Sequence, residues 1–308
     1  MTQPMRASIS TYALSDLPLE EAIDRLIQEG WRSIEIMAEG PHGELLGWTK
    51  EKVDDLRRMG KQHGISFSIH APIKDCNPAA ARPDVIRAAA ETVLHTLHLA
   101  EELGCIYIVL HPGELAGGSS AQPGRSLEDE TLERVITFLQ VILQASEDSK
   151  VIIALENVPP YPGLLGTEPG FLERIVQRLA SPRIRLIYDC GHAHLHGDGA
   201  CLSMLRAMLP YLVGLHLSDN LGLQDDHLAL GTGTVPVEAV LALLQDSGFT
   251  GSSVLEVRDY AAVEASLPLL LHPFANRVAY RNQSNPYDQM HGEEHDMIQT
   301  KHENHRNK

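Results

Sequence analysis

Positive charge is scarce in this chain. Its 308 residues carry 25 Lys and Arg against 41 Asp and Glu, a formal net charge of -16 at neutral pH. Nucleic-acid binding draws most of its affinity from Lys and Arg that neutralise phosphates, so this balance argues against a nucleic-acid partner. Cysteine is sparse too: Cys76, Cys105, Cys190 and Cys201 form no CxxC pair and no disulfide-framework spacing. Reduced, buried thiols are expected. No apolar run reaches the length of a membrane-spanning helix, and the opening MTQPMRASIS lacks the charged-then-apolar build of a secretory signal. A cytoplasmic setting without a membrane partner follows as the expectation. Gly-rich phosphate loops are missing as well.

What is present is alternation. Short β-rich runs alternate with longer amphipathic ones, the signature of βαβ units around a parallel sheet. Strands are expected near Ala7–Ala13, Ser33–Met37, Ser66–His70, Ile106–His111, Val151–Glu156, Ile184–Asp189, Leu212–Leu217 and Ser253–Val257. Helices are expected at Leu19–Glu29, Lys50–Lys61, Val85–Leu103, Leu127–Ser146, Gly170–Leu179, Leu202–Met208, Val237–Asp246 and Ala261–Leu271. Gly30, Gly64, Gly104 and Gly248 each follow a helical run and precede a strand, as a C-terminal glycine stop should. Such a series, in a chain with room for the roughly 250 residues the architecture needs, predicts an α/β fold. The expected architecture is a single-domain (β/α)₈ TIM barrel over residues 1–275. The composition then changes to Asn, His, Glu and Gln without periodicity, and residues 276–308 read as a polar, disordered tail. Its histidines could scavenge metal weakly.

The chemistry-bearing residues fall at the strand ends. His70 ends the third strand in SIHAP, and His111 the fourth in IVLHPG. Glu156 ends the fifth in IALEN, and Asp189 the sixth in LIYDCGH, with His192 just beyond. His216 lies on the seventh in GLHLSD, followed by Asp225 and His227, and Glu256 ends the eighth in VLEV. In a (β/α)₈ barrel all these positions open onto the C-terminal face, where active sites sit. A lone His or Glu at one of them is better explained by a hydrogen-bonded, capping or salt-bridging structural role. The set is not, because carboxylates converging in one cavity repel one another and are expensive to bury unpaired. Imidazoles and carboxylates together suit zinc, manganese, cobalt or a similar divalent ion, one to three per chain.

The order HAP, HPG, LEN, DxGHA-like, HxxD, DxHxxxGxG and LEV, from Ser66 to Arg258, resembles the xylose-isomerase-like barrel superfamily. That group includes sugar isomerases and epimerases and the apurinic endonuclease family 2. The resemblance to the isomerases and epimerases implies one metal held by Glu156, Asp189, His216 and Glu256. It also implies Glu156 and Glu256 as catalytic bases around a metal-stabilised enediolate, with His192, His70 and His111 binding substrate. The resemblance to the endonucleases implies instead a multinuclear zinc site using all nine residues, with His70, His111, His192, Asp225 and His227 as additional ligands. Related barrels also cleave oxidised glycosides by elimination.

The acidic balance and the loop SDNLGLQDDHLALGTG, which has no Lys or Arg, favour a small sugar-like substrate over a nucleic-acid backbone. The same loop reads NLGLQ where ketose epimerases place an Arg, a departure from the simple ketose 3-epimerase pattern. Lys74, Arg125 and Arg258 could meet a substrate phosphate, or form surface ion pairs. Trp48 could wall a sugar face, or pack against the outer helices. Gly231 and Gly233 would let the backbone turn after His227. A non-catalytic metal-binding barrel and assembly into a homo-oligomer stay open.

Overall fold

The structure, a computed structural model, describes residues 6–115 and 126–271. Eight parallel strands close into a barrel in chain order. They are β1 (Arg6–Ser10), β2 (Ser33–Met37), β3 (Ser66–His70), β4 (Tyr107–Leu110), β5 (Ile152–Glu156), β6 (Ile184–Asp189), β7 (Leu212–Leu217) and β8 (Ser252–Leu255). Pairing of β1 with β8, Ile9 opposite Leu255, completes the ring. The crossovers carry α1 (Leu19–Gln28), α2 (Lys50–His63), α3 (Pro83–Leu103), α4 (Leu127–Ala145), α5 (Pro169–Leu179), α6 (Cys190–His194), α7 (Ala200–Met208) and α8 (Val237–Asp246), with α9 (Tyr260–Leu271) closing the series. None of the described helices is long and apolar enough to cross a membrane.

Local chemistry sets these boundaries. Thr49 caps α2 by accepting the Lys52 N–H, and Gly64 ends it with a left-handed φ of 65°. Gly104 ends α3 in the same way at 73°, where a side chain would meet its own carbonyl. Ser126 accepts the Asp129 N–H to start α4, whose first turn is acidic, as the helix dipole favours.

Most elements fall within a few residues of expectation, and three strand ends shift in ways that bear on the site. β1 stops at Ser10 rather than Ala13, because the Ser10 hydroxyl accepts the Tyr12 N–H at 3.2 Å and turns the chain into a 3-10 segment, Thr11–Leu14. β4 and β8 stop just before His111 and Glu256, so both side chains sit on the first loop residue above their strands. The short helix α6 was not expected; the Asp189 carboxylate nucleates it by accepting the His192 N–H at 2.7 Å. Trp48 follows a 3-10 segment, Gly40–Gly47, and packs half-buried against the core, with the Lys52 ammonium 4.4 Å from its ring centroid. Arg125 and the tail from 276 to 308 lie outside the described residues.

Side-chain alternation along the strands sorts the core. Ile34, Ile36, Phe67, Ile69, Ile108, Leu110, Ile153 and Leu155 join the large cluster that the helices cover. The alternate residues face the barrel axis, where Tyr107, Val109, Ala154 and Ile187 form a separate small cluster. Above and beside that plug the same inward parity delivers polar groups: Ser8, Glu35, Ser68, His70, Glu156, Asp189 and His216, all buried.

Close packing also constrains the join between β7 and β8. A Cβ on Gly251 would collide with the Val213 carbonyl oxygen and the Phe249 ring. Gly251→Ala is therefore expected to cost about 1–3 kcal/mol through overpacking, measured by denaturant unfolding. An unchanged midpoint would contradict this packing.

Candidate metal centre

Strands β3 to β8 and the loops above them bring all nine sequence-predicted ligands into one buried cluster. Glu156 is its hub. Its Oε1 lies 2.9 Å from His216 Nδ1, and its Oε2 lies 3.2 Å from both His70 Nε2 and His111 Nε2. Glu256 Oε2 approaches His216 Nδ1 from the other side at 2.8 Å, and Asp189 Oδ2 stands 3.9 Å away. The loop after β7 adds a second group: Asp225 Oδ2 lies 3.0 Å from His192 Nε2 and 3.0 Å from His227 Nε2. Four trios of His, Asp and Glu have ligand atoms close enough to share an ion: His70, His111 and Glu156; Glu156, Asp189 and His192; His192, Asp225 and His227; and Glu35, His216 and Glu256.

Ring orientation is fixed from behind. His70 Nδ1 donates to the Ala71 carbonyl at 2.8 Å, His192 Nδ1 to the Asn157 carbonyl at 2.8 Å, and His227 Nδ1 to the Glu256 carbonyl at 2.9 Å. A carbonyl can only accept, so each Nδ1 carries a proton and each Nε2 is turned into the cluster. In a neutral ring that Nε2 presents a lone pair to carboxylate oxygens about 3 Å away, and two acceptors do not attract. Something positive belongs between them, either a second ring proton or a metal ion.

Electrostatics in the metal-free chain follow from this. Burial alone would lower His192 and His216, yet the facing carboxylates outweigh it and raise both well above the ordinary histidine value. For His227, opposed by burial but held by Asp225, the result is about 9. His70 is raised by Glu156 against the pull of burial, while burial wins at His111 and lowers it. Burial would raise Glu156 and Glu256, but the His216 charge leads a set of imidazoles that holds Glu156 well below the usual range and Glu256 at about 2. Asp189 is pushed up to about 6, chiefly by burial. Among the described residues, no Lys or Arg pairs with any of these carboxylates. Asp189 Oδ2, Asp225 Oδ1 and Glu256 Oε2 are buried without a hydrogen-bond partner. Orphaned acceptors, inward lone pairs and a His/Asp/Glu donor set fit a divalent ion.

Three supporting residues were given no role from sequence, although Asn157 and Asp219 stand in the LEN and HxxD motifs. Asn157 donates to the Asp189 carbonyl at 3.0 Å and accepts the Asp189 N–H at 2.8 Å, clamping β5 to β6. Asp219 accepts main-chain N–H groups from Asn220, Gly231, Gly233 and Val235, each at 2.9 Å. That carboxylate shapes the loop carrying Asp225 and His227, and a Cβ on Gly233 would strike it. Glu35, fully buried on β2, lies with Oε1 2.9 Å from His216 Nε2. Its signal was available in SIEIM: one carboxylate between isoleucines on an expected buried strand.

The weaker candidates divide. Lys74 lines a cavity of about 380 Å³ that also touches His111, Gly113 and Glu114, and its N–H, with that of Ile73, donates to Glu39. Arg258 is exposed, and its Nε lies 3.5 Å from Asp259 in a surface ion pair.

A profile of the xylose isomerase-like TIM barrel family matches residues 23–273. The chain belongs to that family. A solved D-tagatose 3-epimerase-like protein is similar with a TM-score of 0.78 at 25% identity, covering 88% of this chain and 97% of the other. A solved IOLI protein with a bound zinc atom has a TM-score of 0.73 at 18% identity, covering 88% and 99%, a likeness of fold. A probable endonuclease 4 of Thermotoga petrophila is 26% identical over 248 residues, covering 72% of this chain and 82% of that protein.

For this family barrel, protons and metal should compete. His227, raised from 6.5 to about 9, stabilises the metal-free fold fully below pH 6.5 and loses that contribution as pH rises through 9. Asp189, raised from 3.8 to about 6, acts with the same sign at lower pH. The thermal midpoint of metal-free protein should fall from pH 6.5 to 8.5, while the upward shift produced by added zinc grows over the same range. A zinc shift independent of pH would contradict proton occupancy of the cluster.

Proposed function

We propose that this protein is a divalent-metal-dependent isomerase or epimerase of a sugar, a polyol or one of their phosphates. The observation that carries the reading is the convergence of Glu156, Asp189, His216 and Glu256, with acceptor oxygens lacking hydrogen bonds and, among the described residues, no Lys or Arg paired with them. When bound, a manganese, zinc or cobalt ion would supply Lewis acidity to adjacent substrate oxygens and so ease removal of the carbon-bound proton between them.

The chain's own groups do the rest. Glu156 and Glu256 flank His216 and are ionised at neutral pH, the state a general base needs to take a proton from carbon. One carboxylate would accept that proton as the electron pair moves onto the carbonyl; the other, once it had taken up a proton from solvent, would deliver it to the opposite face, and loss of the first proton to solvent would restore the starting state. The main-chain anchors on His70 and His192 would keep their inward nitrogens aimed at the substrate. The cavity beside His111 and Lys74 offers room for the distal part of a sugar. Similarity to the D-tagatose 3-epimerase-like structure agrees with this reading.

A second reading has specific support. Glu156 faces two groups of imidazoles through its two oxygens, and Asp225 joins His192 to His227. Such an arrangement suits a multinuclear zinc site that generates hydroxide and clamps a phosphoester, consistent with the endonuclease 4 relative.

Solvent exchange separates the two. With manganese-, zinc- or cobalt-loaded protein in deuterium oxide, a panel of ketoses and ketose phosphates should take up deuterium beside the carbonyl. Glu156→Gln and Glu256→Gln should each cut exchange by at least about 100-fold without unfolding the protein. Unchanged turnover in both variants would sink the assignment of catalytic groups. Phosphoester hydrolysis without exchange would select the second reading.

A further inference from the structure

His70, His192 and His227 are each anchored from behind by a main-chain carbonyl. His216 is the exception. It turns Nδ1, not Nε2, toward Glu156 and Glu256, and what stands behind its Nε2 is the Glu35 carboxylate at 2.9 Å. Glu35 is fully buried, lies one strand pair from β1 and β3, and sits on the barrel axis side of an otherwise isoleucine-lined strand. Its other oxygen, Oε2, accepts the Ser68 hydroxyl at 2.9 Å, and Ser68 is its register partner on β3. Glu35 Oε1 and His216 Nε2 are both buried, and neither makes an aligned hydrogen bond; their 2.9 Å approach is a charge contact. A buried carboxylate with only a hydroxyl for company would be costly; the facing His216 imidazole, 2.9 Å away, offsets that cost.

We propose that Glu35 is a positioning residue: held by Ser68, it fixes His216 so that Nδ1, rather than Nε2, is presented to the metal. The Glu35 carboxylate stands 2.9 Å behind Nε2, where its negative charge would favour the proton on that side of the ring, leave Nδ1 free to bind the ion, and strengthen His216 as a donor. The chain Ser68–Glu35–His216 thus extends the centre from the barrel mouth down to β2 and β3. This inference rests on the metal reading of Glu156, Asp189, His216 and Glu256, and on no particular substrate.

Cobalt(II) is the probe, because its visible bands report coordination geometry directly. The full-length protein and the variants Glu35→Gln, Glu35→Ala and Ser68→Ala would be titrated with cobalt after chelation and dialysis. Glu35→Gln, which keeps the shape and loses the charge, should bind cobalt about 10-fold more weakly, and Glu35→Ala up to about 100-fold, with the same number of ions at saturation. Both should shift the visible bands; Ser68→Ala should shift them less. Thermal unfolding of the metal-free proteins controls for the fold, and if Glu35→Ala does not fold, Glu35→Gln decides. Unaltered affinity and bands in Glu35→Gln would overturn the proposal. So would one cobalt fewer at saturation, which would make Glu35 itself a ligand. Failure of the unsubstituted protein to bind cobalt would instead overturn the metal reading beneath it.

Discussion

Carboxylates crowded into one buried space repel each other, and most of what surrounds them here answers that repulsion. Glu156, Asp189, Asp225 and Glu256 meet at the barrel mouth with Glu35 one layer below them, shielded from most water and paired with no described Lys or Arg. Imidazoles are their sole partners of opposite sign, and those rings become cationic only by holding protons that their buried setting resists. A cluster of this kind is poised to exchange protons for a harder positive charge. That requirement gives the barrel mouth its chemistry, whatever the substrate proves to be.

Holding such a cluster open takes a scaffold that does not collapse onto it. The main chain supplies it, through carbonyls that fix three of the histidines and through backbone N–H groups gathered by Asp219. Asn157 ties the ends of β5 and β6 together at the height of Asp189. These contacts fix donor directions before any ligand arrives, which is the condition under which electrostatic stabilisation costs no reorganisation. Rigid strands below and pinned loops above explain why side chains from six strands and their following loops can meet within hydrogen-bond distances.

Much of this was legible from the residues alone. Eight short apolar runs with helical patterns between them announced the barrel, and the family match bears out that fold. His70, His111, Glu156, Asp189, His216 and Glu256 were readable because strand ends in a barrel share one face. The partners that orient them were harder. Asn157 and Asp219 stand in the LEN and HxxD motifs, but their main-chain partners lie up to 32 residues away, and the motifs do not say what those side chains hold. Glu35 lies one layer below the strand ends on which the reading concentrated, although its polar character between Ile34 and Ile36 marked it. The helix at Cys190–His194 arises from one side-chain cap, a local event that periodicity over longer windows misses.

Metal content per chain tests the central claim most directly. Protein truncated after residue 275, so that the tail histidines contribute nothing, would be incubated with zinc, manganese or cobalt, dialysed and measured by elemental mass spectrometry. The account predicts between one and three divalent ions retained per chain, with retention lost when Glu156 and His216 are both replaced by alanine. A chain that keeps no ion under any of these conditions would contradict it.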